Sequence, residues 1–537
     1  MAAANAARLS ASVCAHAPRR RATRAQRVAA PLRRADDTHA RRNAPVLVRA
    51  AGRSVLGPQR MCPATSGARA ISVSDAPLAA EPGLSGAAPA AALGVTLHED
   101  SEVRAVPRAR LRLRCNATAL TLSCLPLFAA RQASFRVWAP QASYVALEVL
   151  PSALAADWTA EPTPDEKSGL PAPDAPPGAV TLPLQRCDDG TWAARFAPGT
   201  LDAGAAYRVA LRGPDGRAHV RRDPYARTVD PASAWCTVVD PTAYAWVTDE
   251  STWAPPPFTD YMIYELHVGS FTPEGTLVSA IPKLEHIAAL GMTAVQLMPL
   301  CEHTDKWGYN PVQLLALHSA YGTPDDMRMF VDAAHAHGLA VIVDIVLHHG
   351  APSGNALWDY DGWEQGHNGG IYHEGAPDTR WGRQFAFWKR EVVAMAGDAA
   401  EMWLREYRCD GLRFDSANDL PRDAIQAMTW RLHQAFPGRV LTAEVTPENP
   451  TSITELGFDA VWVHSGYFDI VQQHKALGRG HHGGGDWAEG WNIPRLRTAM
   501  GMHYGFEQPH QCIKYLLGSH DRTCLPCVAP LLNQCSR

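Results

Sequence analysis

Short apolar stretches alternate with amphipathic helical stretches through the second half of the chain. The apolar stretches lie at residues 262–268, 294–298, 339–344, 409–415, 439–444, 458–463 and 512–517. Apolar residues recur with helical spacing at 280–290, 325–337, 391–407 and 422–436. Continuous apolar strands separated by helices are typical of a parallel sheet that helices cover. The pattern therefore predicts an α/β fold, a (β/α)8 TIM-type barrel.

The predicted barrel ends early. Only residues 522–537 follow Asp521, which is too short a segment for a strand, a helix and a further domain. An eighth strand can be drawn at 527–532, but no closing helix follows it. We therefore expect a barrel that is truncated after strand 7 and incomplete at its C-terminus.

A different pattern precedes the predicted barrel. Between residues 131 and 235, apolar residues recur in short alternating stretches, and turn signals such as 213–216 separate them. Short strands at this spacing predict a β-sandwich of about a hundred residues. The expected organisation is residues 1–70 as a leader, 71–130 as a linker, 131–235 as the sandwich and 236–537 as the barrel.

The leader is rich in Arg, Ala and Ser. It contains no Lys, and its only acidic residues are Asp36 and Asp37. This composition is typical of an organellar transit peptide, and a disordered basic tail is the alternative interpretation. We expect the chloroplast stroma as the location, ahead of the mitochondrion.

Charge and cysteine content narrow the possible partners. The formal net charge is −4 although the leader is basic, so the rest of the chain is more acidic than the total suggests. An acidic body argues against nucleic acid or a membrane surface as a partner, and no apolar stretch is long enough to span a membrane. The 12 Cys are scattered without framework spacing, as expected of free thiols in a reducing compartment. The oligomeric state is left open.

Several predicted strands end on an acidic residue. These residues are Asp344, Asp415, Glu444 and Asp521. A parallel barrel gathers the carboxyl ends of its strands on one face, so the four acids should lie close together. Retaining cleavage of a glycosidic bond needs two carboxyl groups about 5 Å apart, one ionised and one able to donate a proton.

Neighbouring residues suggest which carboxyl group takes which role. Side chains alternate along a strand, so Arg413 points to the same side as Asp415 and should keep it ionised. Glu444 has no basic residue beside it in the chain, so we expect burial to raise its pKa and make it the acid.

Four motifs, taken in order, resemble those of the α-amylase superfamily, glycoside hydrolase family 13. They are residues 344–349, 411–415, 442–444 and 519–521, and the resemblance covers roughly 130–525. The resemblance implies Asp415 as the nucleophile, Glu444 as the general acid and base, and Asp521 as the stabiliser of the transition state. It further implies substrate-binding roles for Arg413, His349, His520, Asp344 and Tyr309.

Within the superfamily, several stretches look like those of 1,4-α-glucan branching enzymes. Residues 135–140 resemble the start of the carbohydrate-binding module of family 48 that precedes their barrels. His348 stands where the superfamily usually has Asn, as expected more of a branching enzyme. The short separation of Asp415 from Glu444, and Arg522 after Asp521, depart from the branching pattern.

The resemblance implies an α-glucan substrate such as starch or glycogen, without a metal or organic cofactor. A 1,4-α-glucan branching enzyme is the first expectation. An α-amylase or a trehalose-releasing hydrolase is the alternative, and a non-catalytic glucan-binding protein is the second alternative. Asp359, Asp361 and Glu374 lack the spacing of a calcium site, and we interpret them as solvated loop acids.

Overall fold

The computed structural model describes residues 93–98, 132–150, 178–464, 494, 497, 500–501, 505–514 and 520. Its strands before the barrel are β1 Gly94–His98, β2 Gln132–Trp138, β3 Tyr144–Leu150, β4 Val180–Pro183, β5 Gln185–Arg186, β6 Thr191–Phe196, β7 Ala206–Arg212, β8 Ala218–Arg221 and β9 Cys236–Thr237. They form two antiparallel sheets, with the orders β1-β2-β6-β5 and β4-β3-β7-β8, and β9 pairs with β7. The rings of Phe135 on β2 and Tyr207 on β7 meet edge to face at 6.1 Å, so the two sheets pack against each other. The predicted β-sandwich is therefore present.

Strand β1 lies inside the segment that we expected to be a linker. It pairs along its whole length with β2, from Gly94 opposite Arg136 to His98 opposite Gln132. Val95 and Leu97 pack against the common core. The linker prediction is therefore wrong for residues 94–98. Its Ala- and Pro-rich surroundings hide a strand whose partner lies more than thirty residues further along the chain.

Seven parallel strands make up the barrel sheet. Their order in the sheet is the order in which they occur in the chain. They are β10 Ile263–Leu266, β11 Ala294–Leu297, β14 Ala340–Ile345, β17 Gly411–Phe414, β18 Val440–Glu444, β19 Ala460–Val463 and β20 Cys512–Lys514. Two hairpins lie beside the sheet, β12 Cys301–His303 with β13 Pro311–Leu317, and β15 His349–Gly350 with β16 Arg383–Gln384. Each of the seven predicted barrel strands overlaps one of the parallel strands, which confirms the fold class.

The helices are α1 Val268–Phe271, α2 Leu277–Ala280, α3 Leu284–Ala289, α4 Pro324–Ala336, α5 Arg390–Arg405, α6 Arg422–Ala435 and α7 Thr451–Thr454. Short 3₁₀ helices lie at Phe258–Asp260, Ile281–Lys283, Ser319–Tyr321, Ala417–Asp419 and Pro509–Gln511. The helix expected at 280–290 is split into α2 and α3 by a 3₁₀ turn at Pro282, which has no backbone N–H to donate.

Helix α4 shows how the sequence sets these boundaries. The Thr323 side chain accepts a hydrogen bond from the backbone N–H of Asp326, and the Asp326 carboxylate accepts one from that of Thr323. Pro324 occupies the first helical position, where a missing N–H costs nothing. Gly338 follows the helix with a φ of +74°, a left-handed conformation that glycine adopts without strain.

A buried carboxylate ties the amino ends of three neighbouring strands together. Asp410, just before β17, is fully buried. It accepts hydrogen bonds from Trp253 Nε1 at 2.9 Å, from His335 Nε2 at 2.8 Å and from the backbone N–H of Val341 on β14 at 2.9 Å. Arg439, which precedes β18, forms an ion pair with it. This end of the barrel is therefore closed by paired polar groups.

The long loop between β15 and β16 packs against the sandwich. Asp361 is fully buried and accepts a hydrogen bond from the backbone N–H of Gln141 at 2.9 Å. Arg221 donates to the carbonyl of Tyr360 at 3.1 Å and pairs with the Asp359 carboxylate at 3.1 Å. The prediction of solvated loop acids is therefore wrong for Asp359 and Asp361, because tertiary packing places them against the sandwich. Glu374 is also paired, with Lys389.

Other contacts fix the sandwich to the barrel. Arg227 donates to both carboxylate oxygens of Glu406, at 2.8 and 2.6 Å. The Tyr225 hydroxyl donates to Asp398 at 3.0 Å. Gly362, with a φ of +77°, lies against Gly213 so closely that a Cβ on Gly362 would come within 2.8 Å of the Gly213 Cα. Ion pairing and close backbone packing thus hold the two parts together.

Candidate active site

The acids that were expected to meet do meet at the carboxyl ends of adjacent strands. Asp344 lies near the end of β14, Asp415 directly follows β17, and Glu444 is the last residue of β18. The register places Asp344 beside Arg413 and Arg413 beside Thr442. Neighbouring parallel strands therefore bring three carboxyl groups around one arginine.

Arg413 contacts all three of these carboxylates. Its Nη1 donates to Asp344 Oδ1 and Oδ2 at 2.8 and 2.7 Å, and to Asp415 Oδ1 at 2.7 Å. Its Nη2 donates to Glu444 Oε2 at 2.7 Å. The guanidinium is fully buried and lies over the Trp462 ring at 4.5 Å. One buried cation thus sets the electrostatics of the group.

Burial raises the pKa of Asp415 well above its usual value, and Arg413 only partly opposes this effect. The charges of Asp344 and Glu444, together with a hydrogen bond between Asp415 and Glu444, raise this pKa further. Burial also raises the pKa of Asp344, against the effect of Arg413.

Glu444 behaves in the opposite way. Burial opposes its ionisation, but the charge of Arg413 and hydrogen bonds from His464 and the Ser416 N–H outweigh burial, and its pKa falls below the usual range. Ser416 N lies 3.1 Å from Oε2, and His464 Nε2 lies 3.1 Å from Oε1. The expectation of a raised Glu444 pKa is therefore wrong. No base adjoins Glu444 in the chain, but Arg413 reaches it from the neighbouring strand.

Ser416 presents its N–H to Glu444 from an unusual backbone conformation. Its φ of +38° lies in the left-handed region, which non-glycine residues rarely occupy. The turn directly after Asp415 thus directs a backbone donor at the neighbouring acid. Such strain is found mainly where the surrounding structure fixes a functional geometry.

Tyr309 and His520 lie together beside this group. The Tyr309 hydroxyl donates to Asp344 Oδ2 at 2.8 Å, and the Tyr309 and His520 rings stack at 4.9 Å. His520 Nδ1 lies 2.8 Å from Glu265 Oε1, and its backbone N–H donates to Glu265 Oε2 at 2.9 Å. Two expected substrate-binding residues therefore lie beside the three carboxylates: Tyr309 binds Asp344, and His520 stacks on Tyr309.

His348 and His349 form a hydrogen-bonded pair beside Asp415. His349 Nδ1 lies 2.8 Å from His348 Nε2, and His348 Nδ1 lies 3.7 Å from Asp415 Oδ2. Each residue is 1% exposed. Burial lowers the pKa of His348 to about 4 and that of His349 to about 3, so both rings are neutral at neutral pH.

The described structure brings seven of the expected site residues together: Asp344, Arg413, Asp415, Glu444, Tyr309, His349 and His520. Asp521 lies outside the described residues. Sequence reasoning missed Glu265 and His464, which bind His520 and Glu444. Glu265 had a usable signal, because it is an acid within a predicted buried strand. His464 had none, since it simply follows β19.

The part of the chain that the structure describes contains neither a metal-binding cluster nor a membrane-spanning helix. No group of three or more His, Cys, Asp or Glu residues there has an arrangement that could hold a metal ion. No helix among the same residues is long and apolar enough to cross a membrane.

Comparison with known proteins identifies the barrel region. Residues 239–359 match the family profile of the alpha amylase catalytic domain. A malto-oligosyltrehalose trehalohydrolase of Arthrobacter ramosus is 38% identical over 351 residues, which are 61% of this chain and 53% of the relative. A 1,4-alpha-glucan branching enzyme of Kitasatospora aureofaciens is 31% identical over 324 residues, 55% of this chain and 42% of the relative. The chain thus spans about half the length of the curated relatives that it matches.

Solved structures give the same result for the fold. A Salmonella typhimurium protein assigned as an alpha amylase is 29% identical, with a TM-score of 0.51 over 67% of this chain and 57% of its own. An Anoxybacillus pullulanase solved with maltotetraose is 20% identical, with a TM-score of 0.54 over 72% of this chain and 60% of its own. The parallel sheet and these matches together show an α-amylase-type fold, and residues 239–359 match the profile of the alpha amylase catalytic domain.

Proposed function

We propose that the protein cleaves α-1,4-glucosidic bonds with retention of configuration. The observation that carries this proposal is the placement of Asp415 and Glu444 at adjacent strand ends. Arg413 Nη1 donates a hydrogen bond to Asp415, and Arg413 Nη2 donates one to Glu444. This geometry suits a glycosidic bond that lies between a nucleophile and a proton donor.

In the proposed reaction an Asp415 oxygen forms a bond to C1 of a glucosyl unit. The bond from C1 to the leaving oxygen breaks, and the Glu444 proton moves to that oxygen. An acceptor then attacks C1, the bond to Asp415 breaks, and the acceptor's proton returns to Glu444. Asp344 and Tyr309 would bind the sugar hydroxyls at this subsite, and Asp521 would stabilise the transition state.

The protonation preferences of Asp415 and Glu444 in this structure are the reverse of those that the proposed reaction needs. Arg413 and His464 hold Glu444 ionised, whereas burial favours the protonated form of Asp415. We propose that the sugar displaces the Glu444 carboxyl group from Arg413. Asp344 and Asp415 alone then share the charge of Arg413, which favours the ionised form of Asp415, and the proton passes to Glu444. Substrate binding would therefore leave Glu444 protonated, as the acid, and Asp415 ionised, as the nucleophile.

For the acceptor we favour water and a malto-oligosyltrehalose substrate. The trehalohydrolase relatives support this choice, because the identity of 38% exceeds the 31% shared with the branching enzyme. The short separation between Asp415 and Glu444 supports it as well. The expected products are trehalose and a malto-oligosaccharide with a new reducing end.

A branching activity is the second candidate. The sequence likenesses to branching enzymes favour it, notably the departure from Asn at His348. In that case the acceptor is a glucan 6-hydroxyl, and the product is an α-1,6 branch. In either case we propose that the β-sandwich binds the glucan as a carbohydrate-binding module.

Incubating the chain separately with malto-oligosyltrehalose and with amylose distinguishes the candidates. Release of trehalose from the first substrate supports the trehalohydrolase. A rise in α-1,6 linkages in amylose without new reducing ends supports the branching enzyme. New reducing ends in amylose, without trehalose release from the first substrate, indicate an α-amylase.

Asp415→Asn tests the proposed role of Asp415 as the nucleophile. We expect it to lower kcat by at least about a thousandfold, because the nucleophile is lost. Asp423→Asn is the matched control, since Asp423 is an exposed acid in the first turn of α6, and it should keep full activity. A folded wild-type chain that binds glucan but forms no product would indicate a non-catalytic binding protein.

A further inference from the structure

A glutamate on the first barrel strand contacts both the ring and the backbone of a site histidine. Glu265 Oε1, on β10, lies 2.8 Å from His520 Nδ1. Glu265 Oε2 accepts a hydrogen bond from the His520 backbone N–H at 2.9 Å. The two oxygens of one carboxylate therefore fix two parts of the same residue.

Other groups from several elements also face the His520 ring. Asp344 on β14 and His267, which follows β10, are within electrostatic range of it. The Tyr309 hydroxyl lies 3.4 Å from Nδ1, and it donates its hydrogen to Asp344 at 2.8 Å. Glu265 is therefore the described anion that contacts the ring directly.

The donors and acceptors around Nδ1 determine whether this nitrogen carries a proton. Burial opposes the ionisation of Glu265, but the contacts with His520 and the charge of Arg413 outweigh burial, and the pKa of Glu265 falls below its usual value. An ionised carboxylate can only accept hydrogen bonds. Because the Tyr309 hydrogen is directed at Asp344, neither neighbour of Nδ1 donates to it. His520 Nδ1 must therefore be the donor, whether the ring is neutral or charged.

We propose that Glu265 is a positioning residue that acts through His520. It keeps a proton on Nδ1 and orients the ring, so that Nε2 is the nitrogen that meets a sugar hydroxyl. Its contact with the backbone N–H holds the peptide next to Asp521, the expected stabiliser of the transition state. The action of these two residues on a sugar rests on the proposed function, whereas the hold of Glu265 on His520 does not.

Glu265→Gln should reverse the protonation of the two ring nitrogens. The His520 backbone N–H can only donate, so it requires the oxygen of the side-chain amide. The amide NH₂ would then face Nδ1 and require it to accept, which moves the ring proton to Nε2. Since the two side chains have nearly the same size, we expect the variant to fold.

Nitrogen NMR of ¹⁵N-histidine-labelled protein measures this change directly. The His520 signals are assigned from their loss in His520→Asn. At neutral pH we expect a protonated Nδ1 in the wild type and a bare Nδ1 in Glu265→Gln. The same state of Nδ1 in both proteins would overturn the proposal, whether or not the chain is active on glucans.

Glu302→Gln is the matched control, because Glu302 makes the same two kinds of contact with other residues. Its Oε1 lies 3.0 Å from His318 Nδ1, and its Oε2 accepts a hydrogen bond from the Ser319 N–H at 2.9 Å. This variant should keep the wild-type signals of His520. Loss of the Nδ1 proton of His520 in this variant too would contradict a specific effect of Glu265.

A double-mutant cycle on the substrate found above separates positioning from a merely structural role. We expect Glu265→Gln to lower kcat/KM about tenfold in the wild-type background, the effect of about one hydrogen bond. His520→Ala leaves no ring to position, so adding Glu265→Gln to it should cost less than about twofold more. An equal loss in both backgrounds would show that Glu265 does not act through the ring and would contradict the proposal.

Discussion

Arg413 compensates three buried carboxyl groups with a single positive charge. Asp344 and Asp415 share its Nη1, whereas Glu444 has Nη2 together with His464 and the Ser416 N–H. The unequal share explains why the pKa values of Asp415 and Glu444 shift in opposite directions. The two acids must therefore affect stability in opposite ways as well.

Asp415→Asn should raise the free energy of unfolding at pH 7. Because the folded pKa of Asp415 is raised, its favourable contribution exists below the unfolded pKa of about 3.9 and is lost as the pH rises through the folded value. The neutral amide removes this loss. Urea unfolding followed by tryptophan fluorescence should show a gain at pH 7 that shrinks towards pH 4. Such a gain at the expense of activity is common at active sites.

Glu444→Gln should lower the free energy of unfolding at pH 7. The folded pKa of Glu444 is depressed, so its stabilising contribution exists above the unfolded pKa of about 4.3 and is lost as the pH falls through the folded value. The same urea experiment should show a deficit at pH 7 that narrows in acid. Changes of the same sign for Asp415→Asn and Glu444→Gln would contradict the unequal share of Arg413.

At the scale of the strands and helices, the two ends of the barrel strands have different roles. The carboxyl ends of β14, β17 and β18 carry the catalytic acids, whereas Asp410 joins their amino ends. A substitution at the amino ends should therefore lower stability and leave the activity of the folded protein nearly unchanged.

Asp410→Ala should destabilise the fold by about 3–5 kcal/mol, because Arg439 loses its buried partner and keeps only the exposed Glu250 at 3.6 Å, and the donors of Trp253 and His335 lose their acceptor. KM and kcat of the folded fraction should stay within about twofold of the wild-type values. Glu455→Ala is the control, since it breaks an exposed ion pair with Arg422 that is worth about 0–1 kcal/mol. Equal losses of stability in the two variants would show that Asp410 does not join the strand ends.

Local sequence predicted these elements where local forces decide them. Apolar runs that stop on an acid predicted β14 and β18, and the helical spacing of apolar residues predicted α4. The sequence pattern did not predict contacts between residues that lie far apart in the chain. Strand β1 needs β2 to be recognised, and the depressed pKa of Glu444 needs Arg413 on the neighbouring strand. Glu265 and His464 became site residues only through contacts that the tertiary fold creates.

At the scale of the whole molecule, the sandwich and the barrel are joined by close packing. Gly362 and Gly213 are in near contact, and Asp361 and Arg221 make the hydrogen bonds around them. The barrel loop that carries Asp361 and Gly362 directly follows β15, which begins at His349. Loosening the joint should therefore disturb the site as well as the stability.

Gly362→Ala tests this joint. A Cβ there would come within 2.9 Å of His219 Nε2 and within 2.8 Å of the Gly213 Cα, and the φ of +77° adds backbone strain. We expect a loss of about 2–4 kcal/mol in urea unfolding, from strain plus overpacking. Gly366→Ala is the matched control, because Gly366 has a φ of +60° but no atom within 4 Å of a Cβ, and it should lose only about 1–2 kcal/mol. Equal losses would mean that the contact with Gly213 contributes nothing.

Strand β1 has a practical consequence for expressing the protein in shortened form. A chain started at residue 131, where the sequence pattern places the sandwich boundary, would omit Gly94–His98 and leave one side of β2 without its partner. The bare N–H and C=O groups there would recruit strands from other molecules, which leads to self-association. Starting at residue 93 keeps that side covered, so the choice of first residue would decide between a soluble sample and a precipitate.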